Sequence, residues 1–487
     1  MGGTIGRTPE YFSFSQLNKI VDAFEGNKAP EAPSIRANAL VSDQVNLGGA
    51  ESQDVMILPG NGLMKSFKEI DSDSVANFLQ GKGVEVEEKL DVLNGVTAKL
   101  DQKSIENLKE QGYQVYDNSP RSLLPSVPRL VNRDPGGKPW DMPKIDDVNW
   151  TGTSELHKQG LTGKGQVIAI IDSGYEHPAK PLVAWKDVVE GSDKPFDPNG
   201  HGTHVAGDAM KMAPDADLVG IRVMNAQGSG RPSDIVKGVQ WAIQNKEKYN
   251  ISVINMSLGG APDGVPYYMD PINKAVEKAV ESGISVVAAA GNSGPEQHTI
   301  GSPADDPKAF SIGAALNPTT VSDFSSRGPT DDNMSKPDIV APGEFITSWA
   351  VPNSQLDKIA TTVDTLRRMS PDQLRKLFTA KPDLIKALGL PKDLLKNDDT
   401  NVELITKTHL PPMYKPTPET LAGPGTSFAS PEVAGIVADL RQGHPAASPD
   451  QVKDALMGTA DNMGSQYGKL DQGSGFVRAD KAHKKLA

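Results

Sequence analysis

The chain has 487 residues, no cysteine, and 62 acidic against 50 basic side chains, which gives a formal net charge of −12. Without cysteine, disulfide scaffolds, thiol nucleophiles and thiolate metal sites are excluded. An acidic balance is not typical of nucleic-acid-binding proteins, and no apolar run is long enough for a transmembrane helix. Residues 1–20 lack the basic end and apolar stretch of a signal peptide. The composition predicts a globular enzyme or binding protein, with about three domains at roughly 150 residues each.

The N-terminal third of the chain divides into three stretches. Residues 1–50 show little periodicity beyond Phe14–Phe24, so we predict a poorly defined lead-in. Residues 51–120 carry a net charge of −6 and alternate in the order β-α-β-β-α-β, which predicts a small α+β unit. Its predicted elements are strands at 54–58, 84–89, 95–100 and 113–116, with helices capped by Asp73 and Asp101. Residues 121–145 are rich in proline and glycine, which is typical of a linker.

Residues 146–487 show a different rhythm. Continuous apolar runs alternate with helical patterns, and runs that are apolar on both faces favour a parallel sheet between two helix layers. The predicted strands lie at 166–171, 218–223, 251–254 and 284–289, and two of the predicted helices at 233–244 and 270–282. Residues 353–420 break the alternation. Because Ser370-Pro371 is a typical helix start and several leucines follow, this stretch of net charge +2 is predicted to be a helical insertion.

Three glycine-rich segments of residues 146–487 carry candidate chemistry. Asp172 ends an apolar run before Ser173-Gly174, His201 lies within 199–207, and Ser427 lies within 425–431 just before an apolar helix. Each has an ordinary structural interpretation as a turn aspartate, a packed histidine or a helix-capping serine. Together they fit one reaction, because a serine nucleophile needs a base and the base needs an orienting carboxylate.

Two other interpretations remain open at this point. His201, His204 and Asp208 have a spacing that would suit a zinc-dependent hydrolase. A binding protein on an inactive enzyme scaffold is the third class. A serine-directed fluorophosphonate and a chelator discriminate between them, because only a serine hydrolase reacts with the first and is indifferent to the second.

The three segments, in the order Asp, His, Ser, resemble the signatures of the subtilisin-like serine proteases, and the resemblance extends over residues 140–480. It implies a three-layer α/β fold and a serine endopeptidase that cleaves polypeptides through an acyl-enzyme. By position, Asp172 would be the orienting acid, His201 the general base and acid, and Ser427 the nucleophile. Residues 288–294 resemble the oxyanion segment of the family, so Asn292 would donate its side-chain amide to the tetrahedral intermediate. His204 is then a packed histidine.

The same resemblance implies where a substrate binds. Ser257, Leu258 and Gly259 match the segment that pairs with the backbone of a peptide. Gly291 and Gly301 fall where the family forms its first specificity pocket, and the lack of side chains there predicts room for a large apolar residue.

Residues 51–120 resemble the inhibitory propeptide of secreted subtilases, above all at 94–100. The resemblance implies a zymogen whose own propeptide assists folding, fills the cleft and is removed by autocatalysis between residues 118 and 142. Leu123 or Leu124 is the candidate cleavage position. The family favours secretion, whereas the missing signal peptide leaves a cytoplasmic location open, and we expect a monomer.

No cofactor is needed for this chemistry, and we predict no metal site. Only residues 208–212 separate Gly207 from Ala213, so the longer calcium-binding loop of many subtilisins is absent. Asp305-Asp306 and 331–333 would be weak calcium sites or, as we expect, charged turns in solvent.

Overall fold

The computed structural model describes residues 11–26, 52–60, 70–124, 127–128 and 145–487. The strands are β1 Tyr11–Phe12, β2 Gln53–Pro59, β3 Val86–Leu90, β4 Gly95–Leu100, β5 Tyr113–Asp117, β6 Arg121–Ser122, β7 Val127–Pro128, β8 Val167–Asp172, β9 Ala184–Asp187, β10 Asp217–Arg222, β11 Ser229–Gly230, β12 Ile251–Met256, β13 Ser285–Ala289, β14 Phe310–Asn317, β15 Thr320–Val321, β16 Ile339–Pro342, β17 Ile346–Trp349, β18 Tyr414–Thr417 and β19 Thr420–Gly423.

The α-helices are α1 Phe14–Glu25, α2 Ser72–Gln80, α3 Gln102–Glu110, α4 Asp147–Trp150, α5 Thr153–His157, α6 His201–Met212, α7 Pro232–Gln244, α8 Lys246–Tyr249, α9 Pro271–Glu281, α10 Gln355–Arg368, α11 Pro371–Ala380, α12 Pro382–Ala387, α13 Asp399–His409, α14 Thr426–Gly443, α15 Pro449–Met457, α16 Lys469–Gln472 and α17 Ala479–Leu486. Short 3₁₀ turns lie at Asp91–Leu93 and Leu394–Lys396. Among the helices of the described ranges, none is long and apolar enough to cross a membrane.

The prediction of a poorly defined lead-in is wrong for residues 11–26, which form β1 and α1, the helix lying where the sequence shows periodicity at Phe14–Phe24. Ser13 and Gln16 make a capping box, in which Ser13 Oγ accepts from the Gln16 amide at 3.2 Å and Gln16 Oε1 accepts from the Ser13 amide at 2.7 Å. The helix ends at Gly26, whose φ of 83° suits glycine. Its buried face consists of Phe14, Leu17, Ile20 and Val21. Residues 1–10 and 27–50 lie outside the described part of the chain.

The small unit, residues 51–120, has the predicted order of elements. Its four strands form an antiparallel sheet in the order β3-β4-β2-β5, and α2 and α3 bury Val75, Leu79, Ile105 and Leu108 against it. One capping residue differs from our prediction. Asp71 caps α2 by accepting from the Ser74 amide at 2.8 Å, whereas Asp73 in the first turn pairs with Lys89. Of the predicted linker, residues 125–126 and 129–144 lie outside the described ranges.

The large unit, residues 146–487, is built on an eight-stranded sheet in the order β15-β14-β13-β12-β8-β10-β9, with β16 also paired to β14. Every pairing is parallel except that of β14 with β15. Alternate residues of β8 face two separate cores, with Val167, Ala169 and Ile171 in one and Ile168 and Ile170 in the other. Helices α7 and α9 cover the first face, and α6, α14, α15 and α17 cover the second. The predicted three-layer α/β fold is therefore confirmed.

Residues 353–420 form the helices α10 to α13 and strand β18, as expected of a helical insertion. Ser370 caps α11 by accepting from the Gln373 amide at 3.3 Å. The apolar face predicted from the leucines is buried at Leu374, Leu384, Ile385, Leu388 and Leu394, and half-buried at Leu377 and Leu395. Residues 353–420 are called the helical segment below.

Helices α6 and α14 pack so closely that α14 requires a glycine at the contact. A Cβ on Gly435 would lie 2.5 Å from the Ala209 carbonyl oxygen and 2.7 Å from the Met212 Cβ. A backbone oxygen cannot move aside without disturbing α6, so an added methyl group would strain both helices.

We predict that Gly435→Ala lowers the free energy of unfolding by about 1–3 kcal/mol, because of this overpacking. The measurement is denaturant unfolding followed by circular dichroism in a Ser427→Ala background. Gly468→Ala is the matched control, because its nearest contact would be 3.5 Å away, and its change should stay within about 0.5 kcal/mol. Equal stability of the two variants would contradict the close approach of the helices.

Candidate active site

The predicted acid and base are in direct contact. Asp172 is the last residue of β8 and His201 is the first residue of α6. The Asp172 Oδ1 lies 2.8 Å from His201 Nδ1 and also accepts from the Ser173 amide at 2.7 Å. Both side chains are buried, with 1% and 4% of their surface exposed. Burying an unpaired carboxylate costs several kcal/mol of free energy. The contact with the His201 imidazole offsets this cost.

Asp197 holds the loop before His201, and sequence reasoning missed it. Its carboxylate accepts four hydrogen bonds at 2.8–2.9 Å. The donors are the amides of Gly200 and Thr203 and the hydroxyls of Thr203 and Ser173. Burial raises the pKa of Asp197, although these hydrogen bonds act in the opposite direction. The only signal in the sequence is an aspartate four residues before His201, which by itself looks like a turn residue.

Glycines join the two segments that carry Asp172 and His201. Gly200 precedes α6 with a φ of 91°, which favours glycine. A Cβ on Gly202 would lie 2.3 Å from the Gly174 carbonyl oxygen. The backbone of α6 therefore touches the turn after β8, and this contact brings the two side chains within hydrogen-bond distance.

The electrostatic surroundings of His201 favour its protonated form. Burial lowers the pKa of the ring, but the Asp172 carboxylate, with Asp197 and Asp208 further away, more than offsets that effect. The pKa of His201 therefore lies above its ordinary value of 6.5.

Ser427 lies in the first turn of α14, with Gly425 preceding the helix. Its hydroxyl donates to the Ser257 carbonyl oxygen at 3.2 Å, and the Ser257 hydroxyl donates to the Ser427 carbonyl oxygen at 2.7 Å. Ser427, His201 and Asn292 line one cavity. The structure thus brings the three side chains to the same cavity, while the Ser427 hydroxyl is directed at residue 257.

Asn292 follows β13, and its amide is oriented by the start of α14. The Oδ1 atom accepts from the Thr426 amide and from the Thr426 hydroxyl, both at 2.9 Å. The Nδ2 atom lies 3.4 Å from the place of a Cβ on Gly425. Thr426 therefore sets which end of the amide faces α14, and the glycine leaves room beside its nitrogen.

The five predicted substrate-binding residues lie near this cavity in different settings. Leu258 is buried and Ser257 contacts Ser427, whereas the Gly259 amide donates to the Leu123 carbonyl oxygen at 2.9 Å. Gly291 has a φ of 108°, and a Cβ there would lie 2.7 Å from Ser326 Oγ. Gly301 packs against residues 260–262, because its Cβ would meet the Gly260 carbonyl oxygen at 2.5 Å.

Residues 121–124 of the chain lie extended beside the cavity. Ser122 and Arg121 pair in antiparallel register with Ser229 and Gly230. The Leu123 amide donates to the Gly228 carbonyl oxygen at 3.0 Å, and its own carbonyl oxygen accepts from Gly259. Leu124 lines the same cavity as Ser427. This stretch is therefore held between two backbone edges as an added strand.

His204 is a buried histidine that packs inside the fold and contacts Asp208 and the backbone of residue 421. Its Nδ1 lies 2.9 Å from Asp208 Oδ2 and its Nε2 lies 3.2 Å from the Leu421 carbonyl oxygen. Both side chains are fully buried. In the described ranges there is no group of three or more His, Cys, Asp or Glu side chains arranged to hold a metal ion.

The expectation that Asp305 and Asp306 form a solvated turn is wrong. Asp305 is 9% exposed and accepts from Asn273 Nδ2 at 2.9 Å, and Asp306 is fully buried and accepts from the Lys308 amide at 2.7 Å. Burial raises the pKa of Asp305 to about 7 and that of Asp306 to about 6. Asp331 and Asp332 accept from the amides of residues 264 and 267.

Sequence comparisons match this chain to a protein family and to individual known proteins. The sequence profile of the subtilase family matches residues 163–476. The chain is 35% identical to Serine protease AprX of Bacillus subtilis (strain 168) over 351 residues, which is 66% of this chain and 67% of that protein. It is 32% identical to Subtilisin E of the same organism over 304 residues, or 59% and 71% of the two chains. It is 38% identical to Subtilisin of Bacillus pumilus over 207 residues, or 40% and 70%.

The fold, the buried aspartate–histidine pair and these matches define a serine endopeptidase. The chain belongs to the subtilase family.

We predict that the His201 ring titrates above pH 6.5, because the Asp172 carboxylate stabilises its protonated form. The measurement is an NMR titration of the histidine rings in the Ser427→Ala protein. In Asp172→Asn the carboxylate that raises the pKa of His201 is gone, while burial still lowers it, so the midpoint of the His201 titration should fall. A midpoint that is the same in both proteins would show that Asp172 does not govern the ring.

Proposed function

We propose that Asp172, His201 and Ser427 are the catalytic triad of this endopeptidase. His201 Nε2 takes the proton of the Ser427 hydroxyl as the oxygen attacks the carbonyl carbon of the scissile peptide bond. Asp172 keeps the ring in place through Nδ1 and stabilises the imidazolium that forms. The observation that carries this proposal is the 2.8 Å contact of Asp172 with His201 at a cavity that Ser427 and Asn292 also line.

The Ser427 side chain must reorient before it can attack a substrate. The hydroxyl donates to the Ser257 carbonyl oxygen, so the Ser427 side chain must reorient to direct its proton at His201. Asn292 Nδ2 and the Ser427 amide at the start of α14 then donate to the negative oxygen of the tetrahedral intermediate. His201 returns the proton to the leaving amine, and water hydrolyses the acyl-enzyme by the same steps in reverse order.

Substrates would bind as residues 121–124 do. Backbone hydrogen bonds from residues 228 and 259 give affinity with little demand on sequence, so we propose broad specificity. The preference for large apolar residues at the first pocket rests on the family resemblance of Gly291 and Gly301, because in the structure the side-chain directions of both glycines are filled by Ser326 and by residues 260–262. We also propose a secreted, monomeric enzyme, in line with the family.

We propose that the small unit is an inhibitory propeptide, removed by autocatalysis close to Leu124. Its contacts with α7 support this role. Asn118 Oδ1 accepts from the Ser233 amide at 3.0 Å at the helix start, Gln240 Oε1 accepts from the Val92 amide at 3.0 Å, and Glu88 pairs with Lys237 at 2.8 Å. A covalently attached domain that docks on the enzyme acts at a high effective concentration, so the cleft stays filled until the chain is cut.

Ser427→Ala should remain full length under conditions in which the wild-type protein loses its first 120 or more residues, because the variant has no nucleophile. Intact-mass spectrometry over time is the measurement. Ser430→Ala is the matched control, since Ser430 is buried on the same helix and donates to Asn255 at 2.7 Å. Processing of Ser427→Ala at the wild-type rate would show that the cut is not made by this site, and loss of activity on chelation would favour the metal alternative.

Asn292→Ala should lower kcat by about 10²–10³, the cost known for loss of this donor in subtilisin, and change KM little, because the oxygen carries its negative charge only in the transition state. The measurement is steady-state hydrolysis of a chromogenic peptide with a large apolar residue before the scissile bond. Thr426→Val, which keeps Asn292 but removes a hydroxyl that orients it, should show a smaller loss of kcat. A rise in KM with unchanged kcat would assign Asn292 to ground-state binding instead.

A further inference from the structure

The N-terminal helix α1 is seated on the helical segment. Its buried residues Phe14, Leu17, Ile20 and Val21 are at most 4% exposed. They belong to the same apolar core as residues of α10 and α12, namely Leu356, Ile359, Val363, Leu384 and Ile385. The exposed residues of α1 include Ser15, Gln16 and Lys19. The helix therefore lies with one face on a matching apolar surface, as amphipathic helices do in grooves.

Polar contacts fix α1 along its length. Gln355 Nε2 at the start of α10 donates to Asn18 Oδ1 at 2.7 Å. The Lys381 ammonium donates to the Phe24 carbonyl oxygen in the last turn of α1, where the helix dipole favours a cation. The same ammonium lies 5.7 Å from the centre of the Phe24 ring.

Phe14 extends from this seat into the catalytic cavity. It lines the cavity together with Leu124, His201 and Ser427, and the helical segment contributes Leu356 and Met413. The helical segment is also bonded to the loop before His201, since the amides of Gln355 and Leu356 donate to the carbonyl oxygens of residues 198 and 199 at 3.1 and 2.8 Å. The surface that receives α1 is thus continuous with the wall of the active site.

Strand β1, which precedes α1, holds the chain three residues beyond Leu124. Strand β1 pairs in antiparallel register with β7, with Tyr11 opposite Pro128 and Phe12 opposite Val127. Leu124 lines the same cavity as Ser427, and residues 127–128 follow it along the chain. The backbone beyond the candidate cut is therefore fastened to β1, which leads directly into α1.

We propose that residues 11–26, here named the N-terminal clamp, are a second inhibitory element that uses the helical segment as its docking surface. The inference rests on the proposed function, because it presumes a zymogen that is opened by cleavage near Leu124. Residues 121–124, which follow the small unit, fill the cleft on the side before the cut, and the clamp closes the side beyond it. A polypeptide substrate can pass through the cleft only after both have left.

Substitutions in the clamp test this directly, because maturation discards residues 11–26 and the mature enzyme keeps its sequence. Leu17→Asp introduces a carboxylate into the buried seat, and Phe14→Ala removes the ring that reaches the cavity. Lys19→Asp alters the exposed face of the same helix and is the matched control. The measurement is the rate at which a fluorophosphonate labels Ser427, starting from freshly purified full-length protein, with the cut followed in parallel by intact mass.

We expect Leu17→Asp and Phe14→Ala to be labelled roughly tenfold faster than the wild type, and Lys19→Asp to match the wild type within about twofold. All four proteins should reach the same final labelling and yield the same mature mass. The proposal would be overturned if Phe14→Ala were labelled no faster than Lys19→Asp. This comparison holds even if Leu17→Asp misfolds and therefore reaches a low final labelling. A wild-type protein that is never labelled at Ser427, even when cut, would contradict the proposed function itself.

Discussion

The contact between the carboxylate of Asp172 and the ring of His201 is the constraint on which the rest of the site depends. A buried charge at the end of a central strand needs a fixed partner. The partner is supplied by the first residue of α6, whose loop is held by the four hydrogen bonds to Asp197. Because β8, β12 and β13 are parallel, the residues that follow them meet at one edge of the sheet. Ser257 follows β12 and Asn292 follows β13, so both lie at this edge.

Close packing of two helices completes this arrangement. The start of α6 carries His201 and the start of α14 carries Ser427, and the helices touch at Gly435. At the start of α14, the amide and hydroxyl of Thr426 donate to Asn292 Oδ1. The glycine at the contact between α6 and α14 therefore lets the two helices that carry the proposed base and the proposed nucleophile pack closely. The helical segment is hydrogen-bonded to the loop before His201, and its residues Leu356 and Met413 form part of the cavity wall.

Much of this fold could be predicted because its signals are local. Apolar runs located four of the eight strands of the large sheet, namely β8, β10, β12 and β13, and glycine-rich corners marked Asp172, His201 and Ser427 as candidates. Asp197 and the burial of Asp305 could not be read in this way, because an aspartate in a loop looks the same in sequence whether it accepts distant donors or faces water. The helix α1 was missed for a different reason. Its capping box and apolar spacing are local, but its role depends on the helical segment more than 300 residues later.

The most direct test of the account is to locate the serine that reacts. The active protein would be treated with a fluorophosphonate, digested, and analysed by peptide mass spectrometry. We expect one major adduct, on Ser427 in the first turn of α14. The adduct should be lost when the protein is unfolded before treatment, since an isolated serine hydroxyl is a weak nucleophile. An adduct on another serine, or full peptidase activity in a protein that carries no adduct, would contradict the assignment of Asp172, His201 and Ser427 as the catalytic group.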